Sequence, residues 1–353
     1  MIAPVQTISV HAPQSTGSLR HPPSFKGRLE PDQSLARTLW LNSLELLENV
    51  EGAELTKLAH FLNHVATVYE QQGDYAKTER LYQRLTRLVE RAGVDPELEN
   101  LRVMVLRRLG SLYQAQGRHD EAESLLRRAL VCSRAIFGEK HPETGNTFHQ
   151  LALLEQERRQ FDRAARYYRA ALAIFEPMLD DSDLRVADLC RDLSALERRR
   201  GNPAAGEPMA RRALQIRLAA LGKNHLSVAA DLSVLAAILA ELGNAGEAVR
   251  LYTRAIEIIE ANCGPKHYEI ARVMGKLATI HSARGNFEDA EHCYLRALAV
   301  KERLLGVENL EVASLRNDLS ALYRRQERHE EAAMLAEMAC QVFEKATGPL
   351  KNE

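Results

Sequence analysis

Cysteine is sparse in this chain. Five occur (Cys132, Cys190, Cys263, Cys293 and Cys340), and no two form a CxxC pair. An odd, scattered set excludes a disulfide framework and a zinc ribbon, and it fits a reducing, cytoplasmic setting. Long apolar runs are missing as well. No stretch approaches the roughly 18 apolar residues needed to cross a bilayer, and the N-terminal stretch has no secretory h-region. Charge of one sign is also missing. Lys and Arg total 47 against 48 Asp and Glu, a formal net charge of -1. A near-neutral chain has no bulk attraction to nucleic acid or to an anionic membrane, so neither is expected as a partner. Catalytic signatures are lacking too: there is no GxSxG, HExxH or GxxxxGK[ST]. Neither an enzyme activity nor a cofactor is therefore expected.

What is present is ordinary globular material, with 45% hydrophobic and 27% charged residues. A chain of 353 residues exceeds one typical core, so several domains or a repeat array is expected. Residues 1–33 carry Pro4, Pro13, Pro22, Pro23 and Pro31 without apolar periodicity, which reads as a disordered tail. Leu35, Leu39, Leu41, Leu44, Leu46 and Leu47 surround Trp40, and this predicts an amphipathic helix over 34–50. An array is expected over 51–345 and a short tail over 346–353.

The array shows itself through a repeated register. Gly117, Gly201, Gly243 and Gly285 stand 84, 42 and 42 residues apart, and Arg159 and Glu327 fill the same register. Gly73 lies 44 before Gly117, so seven units are counted. Eight residues before each turn position comes an apolar residue: Val65, Leu109, Leu151, Leu193, Leu235, Leu277 or Leu319. Five after it comes a small one: Thr78, Ala122, Ala164, Gly206, Ala248, Ala290 or Ala332. In the last six units a second small residue follows seven later: Ala129, Ala171, Ala213, Ala255, Ala297 or Ala339. Small residues seven apart share one helix face and let antiparallel helices approach closely. Tyr82, Tyr168, Tyr252 and Tyr294 beside them fill the space against the next hairpin. Gly138, Gly222, Gly264 and Gly306 begin the links between units, as residues just past a helix end do. Gly206 and Pro208 are expected to weaken the fourth hairpin by propensity.

Leu109-Gly110-Ser111-Leu112-Tyr113, Gly117, Glu121-Ala122-Glu123 and Arg128-Ala129-Leu130 resemble the tetratricopeptide repeat. The 42-residue period and the Gly-x-x-His-Pro link at Gly138 to Pro142 are similar to the kinesin light chain class of that repeat. The resemblance covers roughly residues 55–345. It implies an all-α, right-handed superhelical solenoid of about seven antiparallel helical hairpins, whose first helices line a concave peptide-binding groove. Residues 1–50 lack the heptads of a motor-linked light chain, so the repeat class is carried over and the transport role is not.

The resemblance places three positions of each first helix in that groove. They supply Asn63, Arg107, His149, Arg191 and Asn317 at one position, and Arg198, Arg199, Arg324 and Arg325 at the other two. Six arginines face Glu70, Glu157 and Glu241 there. Arginine forks match carboxylates, and asparagines can hold a peptide backbone. The expected function is an adaptor or scaffold that docks a protein or peptide partner, with a preference for acidic or C-terminal carboxylate ligands. The opposing reading leaves the arginines paired with neighbours, such as Arg191 with Asp188 and Asp192, or simply solvated. The alternative function is an oligomerisation module assembling through the solenoid ends, with Met338, Val342 and Phe343 on the end surface. No metal site is expected: His292-Cys293 stands alone, and Asp180, Asp181 and Asp183 read as an acidic helix start.

Overall fold

The structure, a computed structural model, describes residues 53–92, 96–177 and 183–347. The expected tail over 1–33, the expected helix over 34–50 and residues 348–353 lie outside them. Fourteen helices and no strand occur among the described residues. In order they are α1 Ala53–Gln71, α2 Tyr75–Arg91, α3 Pro96–Ala115 and α4 His119–Phe137, then α5 Pro142–Glu157, α6 Phe161–Phe175, α7 Leu184–Arg199, α8 Pro203–Leu221 and α9 Leu226–Glu241. There follow α10 Ala245–Cys263, α11 Tyr268–Ala283, α12 Phe287–Leu305, α13 Leu310–Arg325 and α14 His329–Thr347. The chain divides into two compact units between Glu139 and Lys140. The first holds two hairpins and the second five. Within each unit, every first helix packs on its own second helix, and that second helix packs on the next first helix. This is all-α solenoid architecture built from antiparallel hairpins.

Each hairpin turns at the register position found in the sequence. The backbone there is left-handed at all seven turns: Gly73, Gly117, Gly201, Gly243 and Gly285, together with Arg159 at φ 59° and Glu327 at φ 63°. Both side chains at the non-glycine turns are exposed. An L-residue pays for that conformation and glycine does not. Arg159→Gly and Glu327→Gly should therefore each stabilise the fold, by up to about 1 kcal/mol. Thermal melts showing no gain would argue that these turns are not strained.

The links between units have a matching logic. His141, His225, His267 and Asn309 stand at the N-caps of α5, α9, α11 and α13, where each side chain accepts the backbone N–H two residues on. Asp183 does the same for α7, and its bond from Arg185 holds its carboxyl below the usual range. A side-chain acceptor satisfies one of the orphan donors at a helix start.

The small-residue registers are buried throughout. Ala122, Ala164, Ala248 and Ala290 are fully covered, as are Ala129, Ala171, Ala213, Ala255 and Ala297. Tyr82, Tyr168 and Tyr252 are among the largest fully buried side chains. Of the register apolar residues only Val65, in the first described hairpin, remains half-exposed. From Ala210 to Ala332 one continuous apolar core runs through the last hairpins.

The fourth hairpin departs from expectation. Propensity predicts a weak start to α8, yet the helix runs unbroken from Pro203 through Pro208 to Leu221. Gly206 is there for proximity, because a Cβ on it would lie 2.7 Å from the Ser194 carbonyl oxygen. A glycine that costs propensity lets α7 and α8 approach backbone to backbone. The end surface is also corrected. Val342 is buried and Phe343 packs beside it against Ala313 and Ala339, whereas Met334 and Met338 remain exposed.

Candidate functional site

In residues 140–353 direct hydrogen bonds join first helix α5 to α7, α7 to α9, and α11 to α13. His149 Nε2 lies 3.0 Å from Asp192 Oδ2, and Arg198 donates to Glu241 Oε1 at 2.6 Å. Tyr268 donates to Glu311 at 2.5 Å, and Arg325 donates to the Ser282 carbonyl at 2.7 Å and to its hydroxyl at 2.9 Å. Each pair is separated by one repeat plus one residue. The bonds therefore climb from helix to helix along a common face. Four of the predicted site residues, His149, Arg198, Ser282's partner Arg325 and the adjoining Arg191, lie on this ladder.

Arg191 is not available to a ligand. It is held by Asp188 at 3.3 Å and Asp192 at 3.1 Å. Arg217, arriving from the second helix α8, donates to Asp188 at 3.0 Å and to Asp231 of α9 at 2.5 Å. Arg217, Asp188 and Asp231 are all buried. Three carboxylates and two guanidiniums thus share one interior network, with His149 at its outer edge. The opposing reading of Arg191 holds: its charge is spent on acids of its own hairpin. Burial works against the Arg191 cation, but Asp192 and Asp188 overcome that and hold its pKa above the ordinary value. Burial likewise opposes ionisation of Asp192, and Arg191 with His149 outweighs it, so its pKa falls below the usual range.

Asp231 behaves in the opposite way. Burial outweighs Arg217 and Arg191 and pushes its pKa up to about 6. An unfolded aspartate releases its proton near 3.9. Between those values the folded chain holds a proton that the unfolded chain has lost, so this group favours folding more as pH falls through 6 toward 4. Asp231→Asn removes that contribution. The stability gap between wild type and Asp231→Asn should therefore move in favour of wild type from pH 6 to pH 4, measured by denaturant titration. A gap that stays constant across that range would refute the shifted pKa.

The remaining predicted residues are placed as follows. Arg199 and Arg324 are exposed and hold no ion pair among the described residues. Arg325 spends its hydrogen bonds on neutral Ser282 and stacks 5.1 Å from the Phe287 ring centroid, so its charge is uncompensated. Asn317 is exposed. In residues 53–139, Arg107 is half-buried on α3 and engaged by neighbouring groups. Asn63 Oδ1 is buried without a hydrogen-bond partner among the described residues. On the same unit, Glu70 is satisfied by Arg108 at 2.8 Å and by the Tyr82 hydroxyl at 2.9 Å.

Sequence reasoning missed one stretch of this face. Arg272, Gly275, Lys276 and Thr279 of α11, with Ser314, Leu315 and Asp318 of α13, line an open cavity of about 240 Å³. Lys276 and Asp318 stand one residue before the register leucine, next to the groove position held by Gly275 and Asn317. The signal that would have found them is the glycine at 275, where other units carry a side chain. Among the described residues no group of three His, Cys, Asp or Glu side chains could hold a metal ion, and no helix is long and apolar enough to cross a membrane.

A tetratricopeptide repeat family model matches residues 101–176, 186–261, 227–303 and 269–345, and a second such model matches 65–135. The chain belongs to the tetratricopeptide repeat family, whose members mediate protein–protein interactions and scaffolding. Among solved structures, nearly identical repeats from a Podospora anserina kinesin light chain-like protein align with a TM-score of 0.52 at 20% identity, covering 59% of this chain and 99% of that one. The apo form of RapI aligns with a TM-score of 0.60 at 12% identity, covering 82% and 98%. PilF of Pseudomonas aeruginosa aligns at 0.50 and 15% identity, covering 71% and 95%. At these identities the likeness is one of fold. No curated protein matches the chain by sequence.

Proposed function

We propose that this protein is a scaffold or adaptor that docks an extended segment of a protein partner along the first-helix face of residues 140–353, with a preference for acidic or C-terminal carboxylate ligands. The observation that carries this reading is the uncompensated positive charge on that face. Among the described residues Arg199 and Arg324 have no ion pair, and Arg325 is bonded only to the neutral Ser282 side chain and backbone. Guanidinium groups held on a rigid helical wall suit bidentate capture of carboxylates without reorganisation. The role is binding rather than catalysis. We infer a reducing, cytoplasmic setting, which the five free cysteines support.

The test is charge reversal with Arg191 left intact, because that residue holds the interior together. A variant carrying Arg199→Glu, Arg324→Glu and Arg325→Glu, with the Arg198–Glu241 pair left intact, should keep its helical content and melting temperature. Its affinity for a partner isolated on the wild-type chain should fall by about a hundredfold or more, since several charge-assisted contacts act together. Undiminished binding by the folded variant would remove the acidic-ligand reading.

A further inference from the structure

The cavity between α11 and α13 holds two opposite charges that do not meet. Its floor is open because residue 275 is glycine. A Cβ there would reach only Leu315, at an ordinary 3.5 Å. Other units carry Asn63, Arg107, His149, Arg191, Ser233 and Asn317 at this register. The cavity is thus made by one missing side chain, and it falls within the ladder of first helices.

Around it most charges are already matched. Arg272 pairs with Glu269 at 2.6 Å. Lys301 pairs with Glu311 at 3.0 Å and lies over the Tyr268 ring. Lys276 and Asp318 are left over. Half-buried Lys276 makes no ion pair among the described residues, and burial, then Arg272 and Arg198, lower its pKa to about 8. Loss of solvent raises the Asp318 carboxyl above its ordinary value, with only Lys301 acting against it. Half-buried Lys276 gains most from a ligand group of opposite sign, and exposed Asp318, also without an ion pair among the described residues, gains less.

We propose that this cavity receives two side chains of the docked segment, an acidic one whose carboxylate sits on Lys276 and a basic one whose cation sits on Asp318. The volume, about 240 Å³, is smaller than the roughly 300–1,000 Å³ of small-molecule sites, and suits side chains entering from an extended chain. The inference rests on the docking role proposed above and adds to it a specificity: the segment is amphoteric at this point rather than uniformly acidic. A wholly acidic segment meets Asp318 as a like charge, which is how a site rejects the wrong ligand.

The experiment is selection of a random peptide display library on the full chain, repeated on Lys276→Met and Asp318→Asn. Wild type should enrich an acidic and a basic residue at fixed spacing. Lys276→Met should lose the acidic enrichment alone, and Asp318→Asn the basic enrichment alone. A peptide selected on wild type should bind each variant roughly tenfold or more weakly. The same peptide should slow acylation of Lys276 by an amine-specific reagent. Enrichment that persists in both variants, but disappears when Arg198 and Arg199 are reversed, would overturn this site and leave the docking role standing. No enrichment on wild type would overturn both.

Discussion

Arg217→Met should cost about 3–5 kcal/mol, the largest single loss expected in this chain. The residue is a cation on a second helix, buried, and bonded to Asp188 on the preceding first helix and Asp231 on the following one. Methionine retains much of the stem volume, so the loss reports charge rather than a cavity. What remains is two buried carboxylates facing one another with Arg191 alone to compensate. The burial that already holds the Asp231 carboxyl near 6 then works with less opposition. Replacing the whole set by apolar residues could be close to neutral, because the penalty arises from orphaned charge. Denaturant unfolding of Arg217→Met, compared with an Arg217→Met, Asp188→Asn, Asp231→Asn triple variant, separates the two effects. Recovery in the triple variant is expected. A triple variant as unstable as the single one would show that shape, not charge, sets the loss.

Gly206→Ala should destabilise by about 1–3 kcal/mol, although alanine is the better helix former. Propensity alone favours the substitution by up to about 1 kcal/mol. The new Cβ, however, would sit 2.7 Å from the Ser194 carbonyl oxygen, a backbone atom that cannot swing aside. Overpacking against backbone outweighs the propensity gain. Gly246 of α10 provides the control, because a Cβ there meets nothing within 4 Å. Gly246→Ala should raise the melting temperature and Gly206→Ala should lower it. If both rise, the contact between α7 and α8 is looser than described.

The fold was legible because its determinants are local and repeat. A repeated register, 42 residues long after the first unit, aligns apolar residue, turn and small residue seven times, and the left-handed turns at Arg159 and Glu327 fell into place without glycine. The site was legible only in part. The family resemblance assigns three first-helix positions to a groove, and among their residues His149, Arg198 and Arg325 bond to the neighbouring first helix. Whether a charge on that face is free depends on neighbours far away in the chain. Arg191 is consumed by a network completed by Arg217, 26 positions on, and by Asp231 in the next repeat. No one-dimensional pattern reports that. Lys276 was hidden for the converse reason: its importance comes from the side chain that Gly275 lacks. At the C-terminal end, Val342 and Phe343 read as an exposed surface, yet the second helix turns them inward onto Ala313 and Ala339.

The most direct measurement of the central claim is site-specific photo-crosslinking. A benzophenone side chain placed at Asn317, exposed on the first-helix face, is compared with one at Leu295, 46% exposed on the second helix α12. The account predicts that a partner protein crosslinks through position 317 and not through 295, and that the crosslink is lost when Arg199, Arg324 and Arg325 are reversed. Crosslinking through 295 alone, unaffected by those reversals, would contradict it and move recognition to the second helices.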